Sequence, residues 1–91
     1  MNKRIWKFQI DSESKIIVMP DGAEILTVQV INQVPCIYVL VNPDARNTLR
    51  RFEIYETGED IAFYMSTSRK YINTYQLNDG KLVLHLFEKI I

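Results

Sequence analysis

The sequence predicts an all-β protein, a small antiparallel sandwich or partly open barrel of about seven strands. Apolar and polar residues alternate along most of the chain, and this period of two is typical of β-strands. Combinations of proline, glycine, asparagine and aspartate separate the alternating runs and predict tight turns. No run has the spacing of a convincing amphipathic helix. Short strands joined by short turns are therefore expected throughout.

The first half of the chain predicts four strands. They are RIWKFQI (4–10), KIIVMP (15–20), EILTVQVI (24–31) and VPCIYVLV (34–41). In the third strand, alternation predicts that Leu26, Val28 and Val30 share one face. The fourth strand is apolar on both faces, so we expect it to be central and covered on both sides. The dipeptide NQ (32–33) between these two strands fits a tight turn.

The second half predicts three more strands and one ambiguous segment. The strands are LRRFEIYE (49–56), YINTYQL (71–77) and KLVLHLFE (81–88). We expect NDG (78–80) to form a hairpin turn, because its residues tolerate positive φ. The polar loop NPDARNT (42–48) is expected to connect the two layers. The segment IAFYMSTSRK (61–70) fits an irregular strand, a short helical turn or a loop.

Composition bounds the class of protein. The 91 residues predict one domain spanning 1–91, and the 47% hydrophobic content supports a packed core. Lysine and arginine together number 11, as do aspartate and glutamate, so the formal net charge is zero. Such a chain has no overall field that attracts nucleic acid or an anionic membrane, and we expect neither as a partner. Zero net charge also gives little protection against self-association.

Cysteine usage and hydropathy predict a location. Cys36 is the only cysteine, which excludes an internal disulfide and fits a reducing compartment. The N-terminal segment lacks the apolar run of a signal peptide. No stretch approaches the roughly 20 apolar residues that span a bilayer. We therefore expect a soluble, cytoplasmic protein.

The only histidine, His85, lies within the apolar run LVLHLFEK. Both faces of this predicted strand are apolar, so we expect the imidazole in the interior, bonded to Tyr38, Tyr55, Tyr75 or a backbone carbonyl. Acid–base or nucleophilic catalysis needs a second group aimed at the ring. Cys36 is the only thiol, and it too lies between apolar neighbours. A ligand-binding role for His85 remains the alternative.

Signatures of catalysis and of cofactor binding are absent from the sequence. One histidine and one cysteine cannot form a tetrahedral zinc site without carboxylates or a second subunit. Neither the GxxxxGK[ST] phosphate loop nor the GxGxxG fingerprint occurs. We therefore predict no catalytic residue, no metal and no cofactor, and we expect the protein not to be an enzyme.

Arginine and aromatic residues come together in RNTLRRFEIY (46–55). Such a combination can stack on a base or clamp a phosphate. It also fits a solvated strand face with cross-strand partners such as Glu53. The segment SRKY (68–71) would extend the patch if the fold brings the two segments together. The candidate residues for binding a ligand or a partner are Tyr38, Arg50, Arg51, Tyr55 and His85.

Five segments together resemble a family of short, uncharacterised all-β proteins that are common in bacteriophage and prophage genomes. The segments are RIWKF, MPDGAEILTVQV, VPCIYVLVNPDA, RRFEIYETGEDI and YINTYQLNDGKLVLHLFE. The family pattern has a tryptophan near the start, an MPxGA turn, a proline–cysteine pair, a TG turn and a terminal LVxHxFE strand. Glu56 and Asn73 depart from it, since a glycine and a small residue are more usual there. The resemblance implies a phage origin and supplies no activity.

We therefore expect a small, non-enzymatic, phage-related protein that works by binding in the cytoplasm of a bacterial host. Its partner would be another protein or a second copy of itself, in a host-interaction or anti-defence role. One alternative is a virion or assembly component. Another is a module that binds a small ligand or nucleotide through His85 and the Arg50/Arg51 patch.

Overall fold

Two antiparallel sheets pack face to face in the computed structural model, which describes residues 2–63 and 67–90. The described residues form seven strands and no helix. The strands are β1 (Arg4–Gln9), β2 (Ser14–Pro20), β3 (Glu24–Ile31), β4 (Val34–Val41), β5 (Asn47–Glu56), β6 (Arg69–Leu77) and β7 (Leu82–Lys89). The predicted all-β sandwich is confirmed, and the sheets do not close into a barrel.

The chain alternates between the two sheets in its first half. The three-stranded sheet has the order β1-β4-β3, and the four-stranded sheet has the order β2-β5-β7-β6. The connections β1–β2, β2–β3 and β4–β5 therefore each pass from one sheet to the other. The last of these, across residues 42–46, confirms the predicted link between layers. Strand β4 is central in its sheet, as predicted. The expected cover on both sides is wrong, because the other sheet covers only the inner face and leaves Tyr38 and Leu40 partly exposed on the outer face.

The core lies between the inner faces of the sheets. Ile37, Val39 and Val41 line the inner face of β4, and all three are fully buried. Phe52 of β5 and Leu86 of β7 are equally buried in the opposite sheet. Burying such side chains is worth about 1.5 to 3 kcal/mol each, so this interior supplies the main stabilisation of the fold.

Both predicted hairpin turns are present. Asn32 and Gln33 have φ values of 50° and 66° and connect β3 to β4. Asn78 and Asp79 have φ values of 52° and 53°, followed by Gly80 at 84°, between β6 and β7. Two consecutive residues at positive φ match the right-handed twist of the flanking strands.

The ambiguous segment 61–70 resolves in part. Residues 61–63 and 67–68 have no regular secondary structure, in agreement with the loop among the three alternatives. Strand β6 begins at Arg69. The rest of that prediction, residues 64–66, lies outside the described residues.

Within the described ranges, no helix is long and apolar enough to cross a membrane.

The predicted inner face of β3 is wrong at Leu26. The pairing of β3 with β4 shifts between Ile25 and Thr27, which marks a β-bulge. An extra residue reverses the alternation, so Ile25 packs against the core while Leu26 is 43% exposed. Val28 lies in the core and Val30 packs against it, as predicted.

Two substitutions in β5 test the assignment of its faces. Phe52→Ala should lower the free energy of unfolding by about 3 to 5 kcal/mol, because it opens a cavity in a fully buried site. Leu49→Ala, at an exposed site on the same strand, should change it by less than about 0.5 kcal/mol. Urea denaturation followed by tryptophan fluorescence measures both. Equal effects would contradict the described orientation of β5.

Candidate binding face

The outer face of the four-stranded sheet brings several of the predicted binding residues together. Strand pairing places Tyr55 opposite His85, Glu53 opposite Phe87 and Arg51 opposite Lys89. Directly opposed residues of antiparallel strands point to the same side of a sheet. The residues of this outer face include Ile16, Val18, Leu49, Arg51, Glu53, Tyr55, Arg69, Tyr71, Thr74, His85, Phe87 and Lys89.

His85 lies half-buried on this outer face and not in the interior, so the interior prediction is wrong. Its Nε2 atom is 2.7 Å from Thr57 Oγ1, and its Nδ1 atom is 2.9 Å from Thr74 Oγ1. The predicted tyrosine or carbonyl partners are thus replaced by two hydroxyls. A hydroxyl can both donate and accept, so these partners suit either neutral tautomer of the ring. The bonds hold the imidazole in one orientation beside Tyr55.

Aromatic rings cover the outer side of β7. The Phe87 ring makes edge-to-face contacts with Tyr55 and Tyr71, at centroid distances of 5.9 and 5.6 Å. The aromatic cluster formed by Tyr55, Phe63, Tyr71 and Phe87 also contains two well-exposed members. Phe63 is 66% exposed and Tyr71 is 53% exposed. Solvent-facing aromatic rings are typical of protein-binding surfaces.

Arg69 organises this cluster. Its guanidinium carbon lies 6.0 Å from the Tyr55 ring centroid and 5.2 Å from the Phe63 ring centroid. Its Nε donates to Glu53 Oε1 at 2.6 Å, and its Nη1 donates to the Ala62 carbonyl at 2.6 Å. These bonds tie residues 62–63 to the sheet. The fold thus brings the SRKY segment (68–71) beside Tyr55, and this segment extends the arginine and aromatic patch of residues 46–55.

The surroundings of Arg69 and Tyr55 raise the pKa values of both groups. The hydrogen bond to Glu53 raises the pKa of Arg69. Burial, and next the negative charge of Glu53, raise the pKa of Tyr55. The phenol therefore stays neutral and the guanidinium charged at physiological pH. The cluster presents neutral rings around a fixed cation.

An exposed apolar strip continues the outer face toward the sheet edge. Val18 on the edge strand pairs with Leu49, and Ile16 pairs with Arg51. All three apolar side chains are at least half exposed. Together with the aromatic cluster, the strip makes this outer face largely apolar around Arg51 and Glu53. Exposed apolar patches of this kind mark interaction sites.

Arg50 lies on the opposite side of β5, inside the sandwich. It forms a two-pronged ion pair with Glu88, through Nε at 2.5 Å and Nη2 at 2.8 Å. Its Nη1 donates to the Ala23 carbonyl at 2.6 Å, which connects the four-stranded sheet to the start of β3. The hydrogen bond to Glu88 raises the pKa of Arg50. Three of its donors are therefore used within the fold.

Tyr38 is also separate from this face. It pairs with Lys7 and Thr27 on the outer side of the three-stranded sheet, where it is half-buried. Of the predicted binding residues, Arg51, Tyr55 and His85 therefore share the outer face of the four-stranded sheet. Arg50 lies on the inner side of that sheet, and Tyr38 lies on the other sheet. Sequence reasoning missed Phe63 and Phe87 as members of the face. In the ranges that the structure describes, no three metal-ligating side chains come close enough to hold a metal ion.

Comparison with known proteins assigns a family. A family model described as a domain of unknown function, DUF7352, matches residues 1–90. The chain belongs to this family. Comparison with curated proteins and with solved structures gives no significant match. The expected membership of an uncharacterised family is thus confirmed.

Removing one partner of the Arg50–Glu88 pair should be costly. Glu88→Gln should lower the free energy of unfolding by about 3 kcal/mol, because it leaves the guanidinium charge without its carboxylate inside the sandwich. The double variant Arg50→Met, Glu88→Leu should recover much of this loss, because an apolar pair needs no charge partner. Urea denaturation of both variants measures the difference. A double variant less stable than Glu88→Gln would contradict this view.

Neighbouring residues of β7 should respond differently to truncation. His85→Ala should lower the free energy of unfolding by about 1 kcal/mol, because the freed threonine hydroxyls can bind water. Leu86→Ala, at a fully buried site, should lower it by about 2 to 5 kcal/mol. Thermal and urea denaturation measure both. A larger effect at His85 than at Leu86 would contradict the outer-face position of His85 and would indicate that the imidazole is buried in the interior.

Proposed function

We propose that the protein is a non-enzymatic binding protein whose outer face on the four-stranded sheet receives another protein. The observation that carries the proposal is the exposed aromatic cluster, which shares the outer face with the apolar strip of Ile16, Val18 and Leu49. Tyrosine, phenylalanine and arginine supply large contact areas at interfaces, and Arg69 already lies among the rings.

The charges of the outer face favour a partner with acidic groups. Arg51 and Lys89 lie opposite each other, and neither takes part in an ion pair among the described residues. Arg69 is paired with Glu53, so the face has an excess of positive charge. Two copies meeting through this face would bring like charges together, which costs free energy. A partner with carboxylates at the centre of its contact surface and apolar side chains around them is complementary.

The proposal includes a phage- or prophage-encoded accessory role in the bacterial cytoplasm, directed at a host or defence protein. The support is the resemblance of the sequence to phage-associated proteins, together with the single free, buried cysteine, Cys36. A cysteine thiol stays reduced in a reducing compartment such as the cytoplasm.

The nucleotide alternative receives less support. It needs Arg50 and Arg51 to act together with His85, yet the two arginines point to opposite sides of β5. Arg50 is already bonded to Glu88 and to the Ala23 carbonyl. On the outer face, Arg51 has Lys89 opposite it and no second arginine on its own strand, so the predicted two-arginine clamp does not form there.

Site-specific photo-crosslinking in host cells tests the binding face. A benzophenone side chain at position 71 replaces an exposed tyrosine of the aromatic cluster. The matched control carries it at position 5, a similarly exposed site on the outer side of the other sheet. We expect one dominant crosslinked protein at position 71 and none at position 5. Adding Arg51→Glu to the position-71 variant should abolish that product, because it reverses the charge of the face.

Three outcomes would overturn the proposal. Equal crosslinking at both positions, or a product that survives Arg51→Glu in a protein of unchanged stability, would show that the face is not the site. A product with twice the mass of the chain would show that a second copy occupies the face, against the charge argument. Light scattering of the purified protein checks that result independently.

A further inference from the structure

A cavity of about 450 Å³ opens at one end of the sandwich, away from the Arg50–Glu88 pair and from the outer face. Its walls come from both sheets and are mainly apolar. They include Ile10, Pro35, Ile54, Leu77, Leu84 and Tyr75. The connection 11–13 and the turn residue Gln33 complete the opening. This volume lies within the range of about 300 to 1,000 Å³ that small-molecule sites occupy.

The rim of the cavity carries negative charge only. Glu13, Glu56 and Glu59 contribute to it, and no lysine, arginine or histidine is among the described lining residues. None of these glutamates takes part in an ion pair in the described part of the chain. Asp11, the fourth carboxylate, is already paired with Lys15 at 2.7 Å. The rim thus favours a positively charged group.

Tyr75 lines the wall of the cavity, and its hydroxyl is an unpaired donor buried behind that wall. The residue is 7% exposed, and its hydroxyl is buried without a hydrogen-bond partner among the described residues. Burial raises the pKa of Tyr75 to about 12, so the phenol keeps its proton at neutral pH. A buried hydroxyl without a partner costs free energy that an acceptor atom would restore.

We propose that this cavity binds a small aliphatic ammonium compound whose inner end carries a hydrogen-bond acceptor. The ammonium group lies at the rim beside Glu13 and Glu56, and the alkyl chain contacts the apolar walls. The Tyr75 ring turns toward the ligand, which brings its buried hydroxyl within reach of the acceptor. A lysine side chain from a partner would enter with its charge leading, toward the apolar interior. The polarity of the cavity therefore fits a free small molecule, and the site is independent of the proposed protein-binding face.

Three six-carbon probes separate the contributions. ω-Aminohexanol carries both the amine and the acceptor, hexylamine lacks the acceptor, and ω-hydroxyhexanoate replaces the amine with a carboxylate. Titrations followed by ¹H–¹⁵N and methyl NMR spectra give the affinity and locate the site. We expect shifts at Leu77 and Leu84, with ω-aminohexanol binding about fivefold more tightly than hexylamine because of one extra hydrogen bond. ω-Hydroxyhexanoate should bind most weakly.

Tyr75→Phe is the decisive variant. It removes an unpaired hydroxyl, so its urea midpoint should equal or exceed that of the natural protein. The advantage of ω-aminohexanol over hexylamine should disappear in this variant, while the affinity for hexylamine is retained. Glu56→Gln should instead weaken both amines about equally, by a few-fold, because it removes one charge from the rim.

Several results would overturn the inference. Absence of shifts around the cavity with all three probes would show that it takes no such ligand. An unchanged advantage of ω-aminohexanol in Tyr75→Phe would show that the phenol does not donate to it. A marked loss of stability in Tyr75→Phe would show that the hydroxyl already has a partner within the fold.

Discussion

Contact between the inner faces of the two sheets holds this protein together. Val39 on the central strand β4 and Phe52 on β5 are both fully buried, and neither sheet alone could bury them. The chain has no disulfide to assist, and 91 residues bury a modest share of their surface. Stability therefore depends on this one interior. The outer faces and the open end contribute less to it and are available for recognition.

The difference between the interior and the outer face is clearest on β5, where neighbouring arginines have different surroundings. Arg50 points inward and joins Glu88 and the Ala23 carbonyl, which links the two sheets. Arg51 points outward toward Lys89 and solvent. A strand reverses direction at each residue, so adjacent identical side chains meet opposite environments. One arginine belongs to the fold, and the other belongs to the proposed interface.

Local pattern predicted the elements well because it reports local physics. Alternation and turn chemistry located the strands and both hairpins, since Asn32 and Asn78 lie at positive φ where such residues are favoured. The bulge after Ile25 was invisible, because an inserted residue looks like any other in a run of apolar side chains. His85 was misplaced for a related reason. Both faces of its strand are apolar, and alternation does not say which one faces the other sheet.

The candidate sites depend on sheet order, which local pattern does not contain. Arg51 and Tyr55 could be grouped from their spacing on one strand. Their approach to Arg69 and Phe87 required β7 to lie between β5 and β6. The unpaired hydroxyl of Tyr75 was equally inaccessible to prediction, because a missing partner is recognised only when all the neighbours are known.

The alternation of the chain between sheets has a consequence for its synthesis on the ribosome. By residue 41 the whole three-stranded sheet has been translated, yet only β2 of the opposite sheet exists. Ile37 and its neighbours on β4 then have no layer to cover them, and β2 lacks its pairing partner β5. The nascent chain therefore exposes an apolar surface and a free strand edge until β5 through β7 emerge. During that interval, a chaperone bound near the ribosomal exit tunnel can cover the apolar surface and the free strand edge.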